Sequence, residues 1–295
     1  VDDFSTCSDQ YSTPVPYLFD RNTTVITDNY IACPTVYQVC QLPASFFGIY
    51  HHVPKMQTWV PTRRFNFAVN RLDTKRLLAF LELQMRSYMI DESDTLDYVN
   101  FNCWSWDGDN TTPEGLRANF QRQFELLEPQ FREVYQFTYD RILESMPYRN
   151  HKLGQETAHV SAWMNLVMET YSSDTTVALS EKTFRALCLP VPFMLYAGRY
   201  TIAYLRQLGF DVMPDIVEHK YDKMIENRTA AYGDKMVDFV FEGVDAVTAM
   251  QTNSKRARVR TAQAAESNQK LLSKMQQSWP SDFAAWLPGV IEKIK

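Results

Sequence analysis

The chain has 295 residues, 45% of them hydrophobic and 22% charged, and its formal net charge at pH 7 is −5. This composition is that of an ordinary globular protein, and the length suits one large or two medium domains. The acidic balance argues against non-specific wrapping of nucleic acid, although a local basic patch could still hold a strand.

The cysteine pattern and the hydropathy argue against two further classes of protein. The five cysteines are scattered without a C-x-x-C pair, which fits neither a disulfide framework nor a structural zinc site. No stretch reaches the roughly 18 apolar residues of a membrane span, and no signal peptide is recognised at the start. We therefore expect reduced thiols, a cytoplasmic location and no membrane partner.

The chain begins with a region, residues 1–61, that is rich in Pro, Tyr, Thr and Asp. Its short apolar runs predict short strands and loops rather than a complete doubly wound domain. A strand is predicted next, at Phe65 to Val69. After a cap at Asp73 or Thr74, the apolar residues recur at helical spacing.

The loop between this strand and this helix lies at the carboxyl end of a parallel strand, where ligands of α/β folds bind. Three cations follow the strand closely: Arg71, Lys75 and Arg76. An arginine can grip a diphosphate with two hydrogen bonds and offset the charge that develops on a leaving nucleotide. Solvated surface cations are the alternative interpretation.

A further strand is predicted at Tyr98 to Cys103, and the triplet Asp107-Gly108-Asp109 follows it. Two carboxylates two residues apart can hold a hard cation such as Mn²⁺ against a diphosphate. The residues after the triplet favour instead an Asx-rich turn before the next helix. We adopt the turn and predict no metal site, so Mn²⁺ or Mg²⁺ is expected only if Asp107 and Asp109 prove functional.

A long helical segment, Pro113 to Met146, breaks near Pro129. It is either a core-packing helix pair or an insertion that lines a cleft, and the core-packing pair is the favoured interpretation. The next buried strand is predicted at Ala162 to Thr170.

The central part of the chain is predicted to alternate helix, strand, helix and strand. Ser180 can cap the exposed N–H groups of the first helix, and Glu181 lies favourably at the positive end of its dipole. The apolar run 192–197 is typical of a strand that is buried on both faces. Gly198 breaks this run before the second helix, and Gly209 closes that helix.

The last part of the chain is predicted to be helical. Four cations cluster near its start: Lys255, Arg256, Arg258 and Arg260. A solvated helix face is the favoured interpretation of this cluster, and a nucleic-acid contact is the alternative. An apolar tail is expected to pack on the body of the protein through Trp279, Phe283, Trp286 and Leu287.

Two segments resemble a known enzyme family. They are SEKTFRALCLPVPFMLYAGRYTIAYLRQLGF, followed by Tyr221-Asp222, and the upstream FNFAVNRLDTKRLLAFLEL. Both are similar to motifs of phage and bacterial glycosyltransferases of the two-domain, Rossmann-like GT-B kind, and more distantly to α-1,3-fucosyltransferases. The Glu169-Thr170 end of the preceding strand is shared with the same group.

The resemblance implies an α/β fold that is GT-B-like, with a reduced N-terminal half and a helical insertion. Residues 1–61 would form the acceptor side. Residues 62–250 would form a nucleotide-sugar-binding Rossmann-like domain, with the insertion at about 113–146. Residues 251–295 would form a C-terminal helical tail.

The same resemblance implies a glycosyltransferase that uses a nucleotide-sugar and needs no metal. Arg76 and Lys182 would neutralise the donor diphosphate, and Glu181 would accept hydrogen bonds from donor hydroxyls. Further donor contacts are implied for Asn70, Arg71, Ser180, Thr183, Gly198, Tyr221 and Asp222. The general base is open, with His51 and His52 among the candidates.

The acceptor that the resemblance implies is a hydroxymethylated base of phage DNA, which would place the protein in the host cytoplasm. A DNA acceptor needs a cationic path for the backbone and an aromatic pocket for an exposed base. The candidates for the path are Arg63, Arg64, Lys255, Arg256, Arg258 and Arg260, and those for the pocket are Trp104 and Trp106. A glycan, protein or small-molecule acceptor, or a non-enzymatic viral structural protein with the same fold, are the alternatives.

Overall fold

The computed structural model describes residues 24–27, 30–31, 38–41, 53–69, 72–90, 98–101, 113–145, 159–169, 176–177, 179–222, 242–243 and 245–294. Its strands are β1 (Thr24–Thr27), β2 (Tyr30–Ile31), β3 (Gln38–Gln41), β4 (Arg63–Val69), β5 (Tyr98–Phe101), β6 (Ala162–Met168), β7 (Thr176–Val177) and β8 (Phe193–Tyr196). Its helices are α1 (Thr74–Ile90), α2 (Pro113–Glu125), α3 (Pro129–Ser145), α4 (Glu181–Leu187), α5 (Thr201–Gln207) and α6 (Ser254–Ile294), with a short 3₁₀ helix at Lys220–Asp222. None of these helices is both long enough and apolar enough to cross a bilayer.

A parallel sheet with the strand order β5-β4-β6-β8 forms the centre of the described residues. Two smaller pairs accompany it: β1 with β3 in parallel, and β2 with β7 antiparallel. The predicted α/β class is therefore confirmed. Along the chain, β5 is added on one side of β4, whereas β6 and β8 are added on the other side. The direction of winding consequently reverses between β4 and β6.

Apolar residues bury the middle of this sheet on both faces. All four residues of β8 and nearly all of β6 are buried, as the apolar run 192–197 predicts for β8. On one face, Gly243 lies so close that a Cβ atom there would be 3.2 Å from the Met194 sulfur and 3.5 Å from Leu166. A Cβ atom at this position would require the Met194 side chain to shift by a few tenths of an ångström.

The helices α1, α2 and α3 pack together. The rings of Phe80 and Phe120 meet edge to face, with their centroids 6.2 Å apart. The buried Glu82 accepts a 2.6 Å hydrogen bond from the Tyr135 hydroxyl. The helical segment predicted at 113–146 is therefore a pair that packs on α1, as the core-packing interpretation expects.

The helix α6 is held in place by side chains that bond to backbone groups. Asn268 is fully buried, accepts a 2.8 Å hydrogen bond from the Asp211 N–H, and donates to the carbonyls of Leu187 and Asp211 at 2.8 and 2.9 Å. Gln269 donates to the Cys188 carbonyl at 2.8 Å. These bonds satisfy carbonyls at the end of α4, which a helix leaves without partners of its own.

The strand predicted after the second helix of the central stretch is wrong, because residues 210–219 contain no strand and form a turn at 214–217. The Asp211 backbone is paired with Asn268, and the Asp211 carboxylate accepts a 2.9 Å hydrogen bond from the Met213 N–H. These groups are thus bound by side chains rather than by a neighbouring strand. Gly209 has a φ of 93°, the left-handed conformation that the predicted helix end requires.

The apolar tail of α6 packs only in part. Trp279 and Phe283 lie with their ring centroids 4.9 Å apart, and Phe283 and Trp286 with theirs 5.5 Å apart. All three rings are half-buried. Leu287 is 39% exposed, so the prediction that it packs on the body is wrong for this residue.

We predict that Asn268→Ala lowers the free energy of unfolding by about 2–6 kcal/mol. The buried Leu187 carbonyl loses its partner, which costs about 1–3 kcal/mol, and the two part-buried Asp211 backbone groups each lose a hydrogen bond worth roughly 0.5–1.5 kcal/mol. Ser267→Ala, at the exposed neighbouring position of α6, is the matched control and should change stability by less than about 0.5 kcal/mol. Chemical denaturation followed by circular dichroism measures both. Equal stability of the two variants would contradict the anchoring role of Asn268.

Candidate functional site

The winding reverses between β4 and β6, and the carboxyl ends of such a pair, here beyond Val69 and Met168, are where open α/β sheets form a ligand-binding crevice. We call it the switch crevice. The strands β4, β6 and β8 are parallel, so all three end at this edge of the sheet. The structure brings six predicted site residues to this edge: Arg76, Ser180, Glu181, Lys182, Thr183 and Gly198. Asn70 and Arg71 lie outside the described residues.

The carboxylate of Glu169 joins the end of β6 to the start of α4. It accepts hydrogen bonds from the Ser180 N–H at 3.0 Å, from the Ser180 hydroxyl at 2.5 Å, and from the Thr183 hydroxyl. Glu169 and Thr183 are both buried. The sequence analysis named Glu169 only as a residue shared with the resembled family. A carboxylate at the end of a buried strand nevertheless indicates a hydrogen-bonded contact, because a buried charge needs partners.

The start of α4 presents an ion pair to the crevice. Ser180 caps the helix, since its hydroxyl accepts a hydrogen bond from the Lys182 N–H at 3.3 Å, as predicted. The Lys182 ammonium lies 3.2 Å from the Glu181 carboxylate and 3.3 Å from the Ser180 hydroxyl. Burial raises the pKa of Glu181, but the Lys182 charge and a backbone hydrogen bond outweigh it and hold the pKa below its usual value. Glu181 is therefore a charged acceptor, and its side chain is 52% exposed.

Arg76 lies in the first turn of α1, next to the end of β4. It is buried, and its guanidinium lies 3.3 Å from the Asp73 carboxylate. The same carboxylate accepts a 2.9 Å hydrogen bond from the Arg76 N–H, which confirms Asp73 as the predicted cap. An anionic ligand at Arg76 would therefore share its guanidinium with Asp73.

Tyr221 and Asp222 hold the segment that follows β8. The Asp222 carboxylate accepts hydrogen bonds from the N–H groups of Ile202 at 3.0 Å and Ala203 at 3.1 Å, so it caps α5. The Tyr221 hydroxyl accepts a 3.0 Å hydrogen bond from the Leu195 N–H on the outer strand β8. Both residues are buried structural contacts, and the donor contacts implied for them stay predictions.

The turn from Gly198 to Tyr200 follows β8 and contains a cation–π contact between Arg199 and Tyr200, which was not predicted from the sequence. The Gly198 carbonyl accepts a 2.5 Å hydrogen bond from the Thr201 hydroxyl. The Arg199 guanidinium carbon lies 4.7 Å from the centroid of the Tyr200 ring. Tyr200 has a φ of 63°, in the left-handed region that bulky residues rarely adopt. No pattern of letters indicates a left-handed tyrosine.

Two histidines, the buried His159 and the half-buried His219, contact the strands of the sheet. Burial lowers the pKa of both His159 and His219 to about 4. A ring nitrogen of His159 lies 2.9 Å from the Asn66 side-chain nitrogen. His219 bonds to the Val212 carbonyl at 2.7 Å through one ring nitrogen and to the Tyr221 hydroxyl at 2.6 Å through the other. Both histidines are therefore neutral near pH 7.

The cations predicted to guide DNA do not lie along the switch crevice. Arg63 and Arg64 begin β4, and a seven-residue strand that rises about 3.3 Å per residue places them about 17 to 20 Å from its carboxyl end. Lys255, Arg256 and Arg258 are exposed at the start of α6. That helix is fixed at the end of α4, which points away from the crevice.

Arg260, a candidate for the DNA path, is bonded to two carboxylates, and its contact with phosphate stays a prediction. Arg260 donates to Asp211 at 2.7 and 2.9 Å and to Asp215 at 2.9 and 3.0 Å. The hydrogen bonds to Asp211 raise the pKa of Arg260 further above its ordinary value. An open cavity of about 770 Å³ lies beside this ion pair and is lined in part by Lys255 and Arg256.

Several candidate residues lie outside the described part of the chain: His51, His52, Trp104, Trp106, Asp107 and Asp109. In the part that is described, no group of three or more His, Cys, Asp or Glu side chains could hold a metal ion. The metal alternative at Asp107 and Asp109 stays a hypothesis.

We predict that the protein loses stability as the pH falls from 6.5 towards 5. The folded pKa of His159 and of His219 is about 4, below the ordinary 6.5, so the unfolded chain binds more protons in this window. The stability from each neutral histidine is complete above pH 6.5 and falls by about 1.4 kcal/mol per pH unit below it. Chemical denaturation at several pH values measures this slope.

The variant His219→Gln tests the origin of the slope, because it removes one of the two groups. Its unfolding free energy should fall with decreasing pH about half as steeply as that of the wild type between pH 6.5 and 5. Identical slopes for the variant and the wild type would show that His219 is not buried in its neutral form.

Comparison with known proteins finds no family for the chain. No protein-family model, no curated protein and no solved structure matches it. The resemblance to glycosyltransferases therefore rests on the sequence motifs, and the function built on it is a proposal.

Proposed function

We propose that the protein is a metal-independent glycosyltransferase that binds a nucleotide-sugar at the switch crevice. The observation that supports this most strongly is the position of the Glu181–Lys182 pair, at the edge of a parallel sheet beside the reversal of winding. Doubly wound α/β proteins bind nucleotides at that position. The pair offers a cation to a diphosphate and an exposed carboxylate to hydroxyl groups.

The proposed reaction mainly requires the protein to hold cations beside the leaving diphosphate. The bond between the anomeric carbon and the diphosphate oxygen breaks, and a bond to the acceptor oxygen forms. The diphosphate gains negative charge as it leaves, and Lys182 stabilises that charge. Arg76 adds a second cation, which Asp73 shares. The acceptor hydroxyl loses its proton to a base, for which His51 and His52 are candidates.

The GT-B-like architecture with a reduced N-terminal half belongs to the same proposal. The strands described before residue 53 are β1, β2 and β3, of two to four residues each, which suits a small acceptor side. We place the acceptor region at residues 1–61, the donor domain at 62–250 and the helical tail at 251–295.

The proposed acceptor, a hydroxymethylated base of phage DNA, follows from the resemblance alone. The cations near the start of α6 and of β4 lie away from the switch crevice, so they do not support this acceptor. A glycan, a protein or a small-molecule acceptor would require the same donor site at the switch crevice. Transfer of a labelled sugar to 5-hydroxymethylcytosine DNA but not to unmodified DNA distinguishes the first acceptor from the others.

A non-enzymatic viral structural protein with this fold is the second candidate function. It has no physical need for an ion pair at the crevice, whereas an enzyme that releases a diphosphate does. Hydrolysis of a nucleotide-sugar by the purified protein separates the two functions.

We predict that Lys182→Ala lowers kcat/KM for the nucleotide-sugar by about 30- to 1,000-fold, which corresponds to about 2–4 kcal/mol of lost transition-state stabilisation. The reason is that the cation nearest to the proposed leaving group is removed. Release of nucleoside diphosphate from a panel of nucleotide-sugars, with and without acceptor, measures the effect.

Lys270→Ala is the matched control, because Lys270 is an exposed lysine on α6 that pairs with Glu266. It should turn over like the wild type. Wild-type turnover by a folded Lys182→Ala protein would refute the role of Lys182. Absence of turnover by the wild type with every donor would refute the enzymatic function.

A further inference from the structure

We infer that Arg199, supported by Tyr200, binds an anionic oxygen of a diphosphate at the switch crevice. This inference rests on the proposed function and deepens it. It names a phosphate-binding residue in addition to Arg76 and Lys182, the two cations that the resemblance implies. Three observations carry the inference: the backbone conformation of the turn, the surroundings of the Arg199 side chain, and its place in the sheet.

The backbone of the turn is held in an unfavourable conformation. Tyr200 has φ 63° and ψ 17°, where a glycine would fit without strain. The Tyr200 N–H donates to the Asp222 carbonyl at 3.2 Å, and the Tyr200 carbonyl accepts from the Tyr204 N–H at 2.9 Å. Since Asp222 also caps α5, the surrounding structure imposes this conformation. Strained backbone of this kind concentrates at ligand sites.

The side chain of Arg199 is held by an aromatic ring. Its guanidinium carbon lies 4.7 Å from the Tyr200 ring centroid, close enough for a cation–π contact. Its Nε is buried and has no hydrogen-bond partner among the described residues. A buried N–H group needs an acceptor. An arginine presents Nε and a terminal nitrogen side by side, and this fork matches two oxygens of a phosphate.

The turn connects Arg199 to the same edge of the sheet as Lys182. The Tyr196 carbonyl accepts a 2.9 Å hydrogen bond from the Glu169 N–H, and Arg199 follows Tyr196 by three residues. Ser180 bonds to the Glu169 carboxylate, and Lys182 follows Ser180 by two residues. Three residues span at most about 10 Å, so both cations lie within reach of the same crevice. Lys182 is paired with Glu181, whereas the described contact of Arg199 is with an uncharged ring.

The inference is tested by calorimetric titration of the full chain with inorganic pyrophosphate, UDP, GDP and ADP. Arg199→Gln should bind the preferred ligand at least tenfold more weakly than the wild type, and Arg199→Lys should lie between the two. Arg206→Gln, at an exposed position of the adjoining helix α5, is the matched control and should bind like the wild type. Thermal unfolding of each variant shows that the fold is kept.

Tyr200→Gly separates ligand binding from folding, because glycine relieves the strained backbone while it removes the ring. Its melting temperature should equal or exceed that of the wild type, and its diphosphate affinity should fall. Unchanged affinity in both Arg199→Gln and Tyr200→Gly would overturn the inference and leave the glycosyltransferase proposal standing if the wild type still transfers sugar. Arg199-dependent binding without any sugar transfer or hydrolysis would support the inference and sink the proposed reaction. A wild type that binds none of the four ligands would overturn both.

Discussion

The proposed site depends on the buried carboxylate of Glu169. The Glu169 backbone N–H donates to the Tyr196 carbonyl of β8, and the Glu169 carboxylate oxygens accept hydrogen bonds from Ser180 and Thr183 at the start of α4. One residue thus fixes the ends of two strands relative to the helix that carries Lys182. Without this carboxylate, buried donors would lose their partner, and such a loss costs about 1–3 kcal/mol for each group.

Charge is divided between the two ends of the sheet. At the carboxyl end, Arg76 and Lys182 each lie beside a carboxylate, which holds the cation in place and reduces the net charge offered to a ligand. Towards the other end, Arg260 forms salt bridges with two aspartates, and these salt bridges help to hold α6 in place. Arg199 differs because an aromatic ring holds it, so its charge is not offset by that contact. A diphosphate, with its concentrated negative charge, suits such a cation.

The sequence predicts those features that depend on neighbouring residues. The Ser180 cap, the buried strand β8 and the helix end at Gly209 each follow from a few adjacent letters, and all three are confirmed. Contacts between distant residues were not predicted: Glu169 meets Ser180 across 11 positions, and Asn268 meets the end of α4 across 81. The positions of the candidate DNA-path cations were not predicted either, because linear order does not tell which end of a sheet a cation occupies. The left-handed backbone of Tyr200 is imposed by tertiary contacts and has no local signal.

The central claim is that the switch crevice is the ligand site, and hydrogen–deuterium exchange of the whole chain with and without a nucleoside diphosphate tests it most directly. The account predicts slower exchange at residues 180–183 and 198–201, which lie at the edge of the sheet proposed to hold the ligand, and unchanged exchange at residues 254–260 near the start of α6. Protection confined to residues 254–260, or no protection with UDP, GDP or ADP at high concentration, would contradict it.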